Sequence, residues 1–297
     1  MKRIGLFLLT NLAIIVVGGT VLNLLGFSGI LAQNGIDLNM SALFMFALVF
    51  GFAGALISLL ISKPIAKMTT RVKVIEQPKN QSEKWLLDTV AELARKANIG
   101  MPEVGIFPAQ QSNAFATGWN KNNALVAVSE GMLQRFSPAE VKAVMAHEIG
   151  HVANGDMITL TLVQGVVNTF VIFFARVIGF FVDRVLLKNE RGLGPGYYIT
   201  SIVMDIVLGF LAMTIVAWFS RQREYRADVA GAQLADRQSM IGALQRLKAE
   251  YEVPNQMPDS MVAFGINGGG IKGFKAMFAS HPPLDDRIAA LNEQRHG

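Results

Sequence analysis

The sequence has no cysteine, only four histidines and little charge: Lys, Arg, Asp and Glu make up 16% of 297 positions. Without Cys there is no disulfide framework, no thiolate metal site and no cysteine nucleophile. Any metal must be held by His, Asp or Glu, so each of the four His counts. The charge shortfall excludes a disordered chain or an acidic-tail protein. It also argues against a wholly water-soluble enzyme, in which roughly a quarter of residues are charged. Hydrophobic residues reach 52%, and the net charge is +5. The length allows one large or two ordinary domains.

The apolar residues cluster. Residues 4–36 and 38–62 carry no charge, and about 20 apolar residues cross a bilayer as a helix. Membrane spans are expected over residues 4–27 and 41–61. Two more are expected over 157–182 and 197–220, interrupted only by Arg176 and Asp205. The first run is about twice a signal-peptide core and lacks a small-residue cleavage site, so an uncleaved anchor is expected. Lys2 and Arg3 precede the first span, and Lys63, Lys67, Arg71 and Lys73 follow the second. The loop between them has no Lys or Arg, which places both ends of this hairpin in the cytoplasm. Arg184, Lys188 and Arg191 lie in the loop of the later pair and run against that tendency if the pair crosses. A shallow hairpin packed on protein is the alternative; crossing is the favoured reading. Arg176 and Asp205 fall at similar depth on antiparallel helices and can pair with each other.

Two polar segments remain, residues 63–156 and 221–297. The first begins with an amphipathic helix carrying Trp85, Leu86, Val90, Leu93, Ala94 and Ala97 at helical spacing, with Ser82 as the expected N-cap. Strands are expected at 104–107, 114–117 and 124–128, the last two joined by a turn at 120–123. In the second segment a helix is expected to continue from the fourth span to about Tyr251. A Pro-, Gly- and Met-rich stretch follows over 254–273, read as a mobile connector or a lipid-facing flap. A short helix at 285–294 ends the chain. The resulting division is a transmembrane hairpin (1–62), a first catalytic part (63–156), a second apolar hairpin (157–220) and a second catalytic part (221–297).

The chemistry lies in one helix. Ser137-Pro-Ala-Glu140 is a capping box with Pro at the first helical position, and Asn154-Gly155 ends the helix. Inside it is His147-Glu148-Ile-Gly-His151. Residues i and i+4 share a face, so both imidazoles can reach one Zn²⁺. Zn²⁺ lowers the pKa of a bound water towards about 7, and Glu148 is placed to take the proton. A catalytic zinc needs a third protein ligand. His281, His296, Asp156 and several Glu are candidates. Glu224 is best placed, in a helix with Asp228 one turn on, where Asp228 could fix the tautomer of a ligating His. Ordinary intrahelical ion pairs among Arg221, Glu224 and Asp228 are the competing reading.

These motifs, together with Ser112-Asn-Ala-Phe-Ala-Thr-Gly118, Glu224-Tyr-Arg-Ala-Asp228 and Ser280-His-Pro-Pro-Leu-Asp-Asp-Arg287, resemble the HtpX family of bacterial inner-membrane zinc metalloproteases, which is related to the eukaryotic CAAX prenyl proteases. The likeness covers essentially the whole chain, including the order of the four apolar stretches. It implies a mainly α fold with a small β-sheet, about four transmembrane helices and a zincin-like (gluzincin) cytoplasmic catalytic domain. It also implies one zinc per chain on His147, His151 and Glu224, with Glu148 as general base and Asp228 behind a ligand. Asn113 would stand beside an edge strand that holds substrate, and His281 would face the zinc and help to stabilise an oxyanion. The implied activity is endoproteolysis of unfolded or misassembled membrane proteins at the inner-membrane surface, in quality control and stress response, overlapping with an FtsH-type protease. No nucleic-acid partner is expected. A CAAX-type protease on lipidated C-termini and a membrane adaptor with a structural zinc are the alternatives. Since His151 and Glu224 must meet at one ion, both ends of the second apolar hairpin lie on one side of the membrane. That side is the cytoplasm, with the zinc within roughly 10 Å of the bilayer.

Overall fold

The computed structural model describes residues 39–250 and 281–293. The chain forms two compact units: Met1–Ile57 with Thr161–Ile215, and Ser58–Leu160 with Val216–Gly297. The described residues contain three helices long and apolar enough to cross a membrane. They are α1 (Met40–Thr70), α5 (Asp156–Phe181, extended by a π-helical turn Val182–Leu186) and α6 (Pro195–Leu234). The expected span at 4–27 and the flap at 254–273 lie outside the described residues.

In the apolar unit, Ala47, Phe173 and Val177 form a small core. Gly51 lets α1 approach α5 closely, because a Cβ there would lie 2.6 Å from the backbone nitrogen of Thr169. Small residues serve the same purpose between membrane helices generally. Most of α6 in this unit is apolar and exposed, including Ile202, Ile206 and Phe210, as lipid contact requires. Arg176 Nη1 lies 2.8 Å from Asp205 Oδ2, so the two charges in the apolar stretches pair with each other. The loop after α5 is fastened by Asp183, which accepts from Asn189 Nδ2 (2.8 Å) and from the Gly194 amide (2.9 Å).

The polar unit is built on a four-stranded mixed sheet of β1 (Lys73–Val74), β2 (Glu103–Phe107), β3 (Ala114–Asn120) and β4 (Asn123–Ser129), in the order β1-β2-β4-β3. β2 and β4 run parallel; the other pairs are antiparallel. Lys121 and Asn122 form the turn between β3 and β4, and β3 runs three residues further than its apolar pattern indicates. The period-2 alternation divides the strand residues between two faces. Phe107, Phe115, Leu125 and Ala127 pack around Ala66 of α1. Ala114, Ala116, Val126 and Val128 face a helical layer of α2 (Gln81–Lys96), α4 (Pro138–Asn154), α7 (Arg237–Ala249) and α8 (Leu284–Glu293). A short helix, α3 (Glu130–Arg135), joins β4 to α4.

Two local expectations are corrected. The N-cap of α2 is Asn80, not Ser82: Asn80 Oδ1 accepts from the Glu83 amide at 2.8 Å, and Glu83 Oε2 reaches back to the Lys79 amide. The helix carrying Glu224 does not continue to Tyr251. It stops at Leu234, and Asp236 caps a new helix by accepting from the Ser239 amide at 2.8 Å. An Asp side chain offers the backbone a competing acceptor, which is why it favours a helix start over a helix interior.

Candidate metal centre

α4 is positioned by its ends. Ser137 Oγ accepts from the Glu140 amide, and Glu140 Oε2 accepts from the Ser137 amide at 2.8 Å. Gly155 closes the helix in the left-handed region (φ 64°), where glycine carries no Cβ penalty. Glycines then bring α6 against it. A Cβ on Gly150 would lie 2.8 Å from the Ala230 Cβ, and one on Gly231 would lie 3.2 Å from the His147 amide nitrogen. This close approach lets a carboxylate on α6 reach two imidazoles on α4.

His147, His151 and Glu224 each present a ligand atom, and these atoms lie within 4.8 Å of one another. Glu224 Oε2 is 3.5 Å from His147 Nε2, and Glu224 Oε1 is 3.2 Å from His151 Nε2. Each imidazole is held from behind at its other nitrogen. His147 Nδ1 is 2.9 Å from Asp228 Oδ1, and His151 Nδ1 is 2.8 Å from Asp156 Oδ2. Proton sharing with a carboxylate at Nδ1 leaves the Nε2 lone pair facing inward, the tautomer a metal ligand needs. Asp228 is gripped in turn by Arg287, which is fully buried and donates through Nε (2.8 Å) and Nη2 (2.6 Å). The Asp156 main-chain oxygen accepts from Arg223 at 3.2 Å.

Glu148 is 2% exposed. Burial pushes its carboxyl above the ordinary range, against the pull of His147 and His151. Burial opposes protonation of His151, yet Glu224 and Asp156 hold its pKa up to about 10. Burial likewise opposes ionisation of Glu224, but the neighbouring His281 and His151 keep it well below the usual carboxylate range. The protein groups alone therefore make a pocket that draws in positive charge.

These residues fit a metal. Among the described residues, the buried atom His147 Nε2 makes no hydrogen bond, and such an orphan is costly unless a ligand meets it. Four carboxylates are buried here, those of Glu148, Asp156, Glu224 and Asp228, against two buried guanidinium groups, Arg223 and Arg287. A divalent cation balances that excess.

His281 joins the group by facing Glu224, with its Nδ1 2.9 Å from Glu224 Oε2. Asn113 belongs to the sheet. It stands at the head of β3, where its amide donates to Ser129 Oγ (2.9 Å) and its Oδ1 accepts from the Ala114 amide (2.9 Å). Sequence reasoning missed the roles of Arg287 and Asp156. Arg287 closes the motif that begins at Ser280, and a buried Arg calls for a carboxylate. Asp156 is five residues beyond His151, just past the helix stop, and entered only as a possible third ligand.

Side chains that can hold a metal, in a chain whose described residues include three helices apolar enough to cross a membrane, with His147-Glu-x-x-His151 on one helix, point to a membrane-anchored metallopeptidase. Residues 80–295 match Peptidase family M48, and the chain belongs to that family. It is similar to Protease HtpX of Alcanivorax borkumensis, at 68% identity over 298 residues covering all of both chains. It is also similar to Protease HtpX of Pseudomonas putida, at 63% identity over 99% of this chain and 100% of that one. In fold it resembles the crystal structure of S. mikatae Ste24p, with a TM-score of 0.61 at 19% identity. That match covers 94% of this chain and 64% of the Ste24p chain.

Proposed function

We propose that the metal is a single zinc ion on His147, His151 and Glu224, and that the protein is an endopeptidase at the cytoplasmic face of the bacterial inner membrane. The observation that carries this reading is the pair of imidazoles turned Nε2-inward on Glu224, with Glu148 buried beside them. Nitrogen and carboxylate donors without sulfur suit zinc. A bound zinc polarises the scissile carbonyl and acidifies the attacking water.

The chain's own residues do the rest. Glu148 takes the proton from the attacking water and delivers it to the departing amine. Asp228 and Asp156 keep the two imidazoles in register. β3 pairs with β4 on one side and, among the described residues, with no strand on the other. A substrate segment can therefore add to it as a strand. His281, facing Glu224, is proposed as a donor to the developing oxyanion, contributing roughly 3–4 kcal/mol as in comparable sites, and Asn113, at the head of β3, is proposed to stand beside the edge strand that holds substrate.

Substrates are proposed to be loops and tails of unfolded or misassembled membrane proteins, in stress-related quality control overlapping with an FtsH-type protease. The cytoplasmic orientation rests on Lys63, Lys67, Arg71 and Lys73, which follow the uncharged run of α1, the first two within its last turns. Glu148 separates this reading from an adaptor with a structural zinc, which needs no general base. The test is Glu148→Gln in the detergent-solubilised full chain. The variant should keep one zinc per chain and lose cleavage of casein. Undiminished cleavage would contradict the mechanism.

A further inference from the structure

The sheet carries a feature that the chemistry does not use. The tip of the β3–β4 hairpin is fixed to the point where α1 leaves its apolar run. Lys63, the first charge after the uncharged residues 38–62, donates to Asn123 Oδ1 at 2.6 Å and lies 2.9 Å from Glu103 Oε1. Asn122 Oδ1, in the turn, accepts from the Gly100 amide at 3.0 Å, which draws the segment before β2 to the same end. Adjoining these anchors in the sequence are two large apolar side chains left open, Trp119 (44% exposed) and Met101 (49% exposed), and the exposed cation Lys121. Residues 114–117 of the same strand are buried, so the exposure is confined to the tip.

We infer that this tip, Trp119 with Met101 and Lys121, seats in the headgroup layer of an anionic bilayer. The surface is continuous with an interface the protein must already have, because Lys63 stands one residue beyond Ser62, at the end of the apolar run. Its chemistry matches that layer. The amphipathic indole favours the boundary between hydrocarbon and water. The exposed Lys121 complements phosphate charge, while Lys63 and Lys67 are engaged by Glu103 and hold the tip to α1. The inference rests on membrane anchoring and not on the peptidase mechanism. If the proposed use of β3 also holds, the strand that receives substrate has its far end at the lipid surface, where a segment leaving the membrane would meet it first.

The test uses the full chain in nanodiscs. Trp85→Phe with Trp218→Phe leaves Trp119 as the sole tryptophan. In discs of phosphatidylcholine and phosphatidylglycerol, a headgroup-attached spin label should roughly halve its emission, and a label deep in the acyl chains should quench it less. Lys121→Glu should weaken the headgroup quenching. If the phenylalanine changes disturb folding, the cysteine-free chain allows a second probe: Lys121→Cys, which leaves the Asn122 and Asn123 anchors in place, carrying an environment-sensitive dye whose emission should shift to the blue in discs and be quenched by the same headgroup label. Emission at both positions that is water-like and untouched by the headgroup label would overturn the inference.

Discussion

Removing the carboxylate of Asp156 should weaken metal binding without unfolding the protein. Asp156 Oδ2 lies 2.8 Å from His151 Nδ1 and fixes which ring nitrogen faces Glu224. Loss of such a partner typically costs 10–100-fold in metal affinity, or about 1.4–2.8 kcal/mol at roughly 1.4 kcal/mol per tenfold. Asp156→Ala should fall in that range. Asp156→Asn should lose less, since its amide oxygen can still accept from the imidazole. The main-chain oxygen bonded to Arg223 survives both substitutions, but without metal the buried His151 loses a carboxylate that helps to hold its proton, so the melting temperature of the metal-free Asp156→Ala chain should fall, though the chain stays folded. Asp228→Ala is the contrast: it strands the fully buried Arg287, and breaking a buried pair costs about 3–5 kcal/mol. The assay is competition for zinc against a chelator of known affinity, with thermal melts in parallel. Zinc affinity of Asp156→Ala within twofold of the parent chain would refute the argument.

Further expectations can be checked in the same preparations. Arg287→Met leaves Asp228 and Glu224 as buried carboxylates without their guanidinium and should destabilise the chain by about 3–5 kcal/mol in denaturant titration. Gly150→Ala places a Cβ 2.8 Å from that of Ala230 between two packed helices; an overpacking cost of about 1–3 kcal/mol and weaker zinc binding are expected. Arg176→Leu should destabilise the membrane hairpin more than the double change Arg176→Leu/Asp205→Leu, measured by unfolding in mixed micelles, because the single change leaves one charge unpaired. Hydrogen bonds from Lys142, then Lys96, lower the Glu92 pKa from 4.5 to about 2. The folded value lies below the unfolded one, so this contribution is present above pH 4.5 and is lost as pH falls towards 2. The side chain is about one-third exposed, so solvent screening limits the effect of Glu92→Gln to less than about 1 kcal/mol at pH 7, vanishing near pH 2.

The sequence was most legible where local signals agree. Ser137, Glu140 and Gly155 mark both ends of α4, and all three act as caps in the structure. Alternation located the three longer strands, although Gly118 and a bulge carry β3 beyond its apolar pattern. Arg176 and Asp205, placed at equal depth by counting residues, do pair. Spacing left Glu224 between metal ligand and partner in an intrahelical ion pair. What decides its surroundings is how closely α4 and α6 approach, and that depends on Gly150 and Gly231, which are 81 positions apart in the sequence. Arg287 is opaque for the same reason: its partner Asp228 is 59 residues away on another helix. Asp156 was visible as a carboxylate, but only the αL turn at Gly155 shows that it folds back onto His151.

X-ray absorption at the zinc edge, on the purified full chain and on Glu224→Ala, tests the central claim most directly. The parent chain should hold one zinc per chain, with only nitrogen and oxygen donors and the scattering of two imidazoles, and Glu224→Ala should lose the metal. One imidazole or none in the zinc shell, or full occupancy in Glu224→Ala, would contradict the assignment of His147, His151 and Glu224.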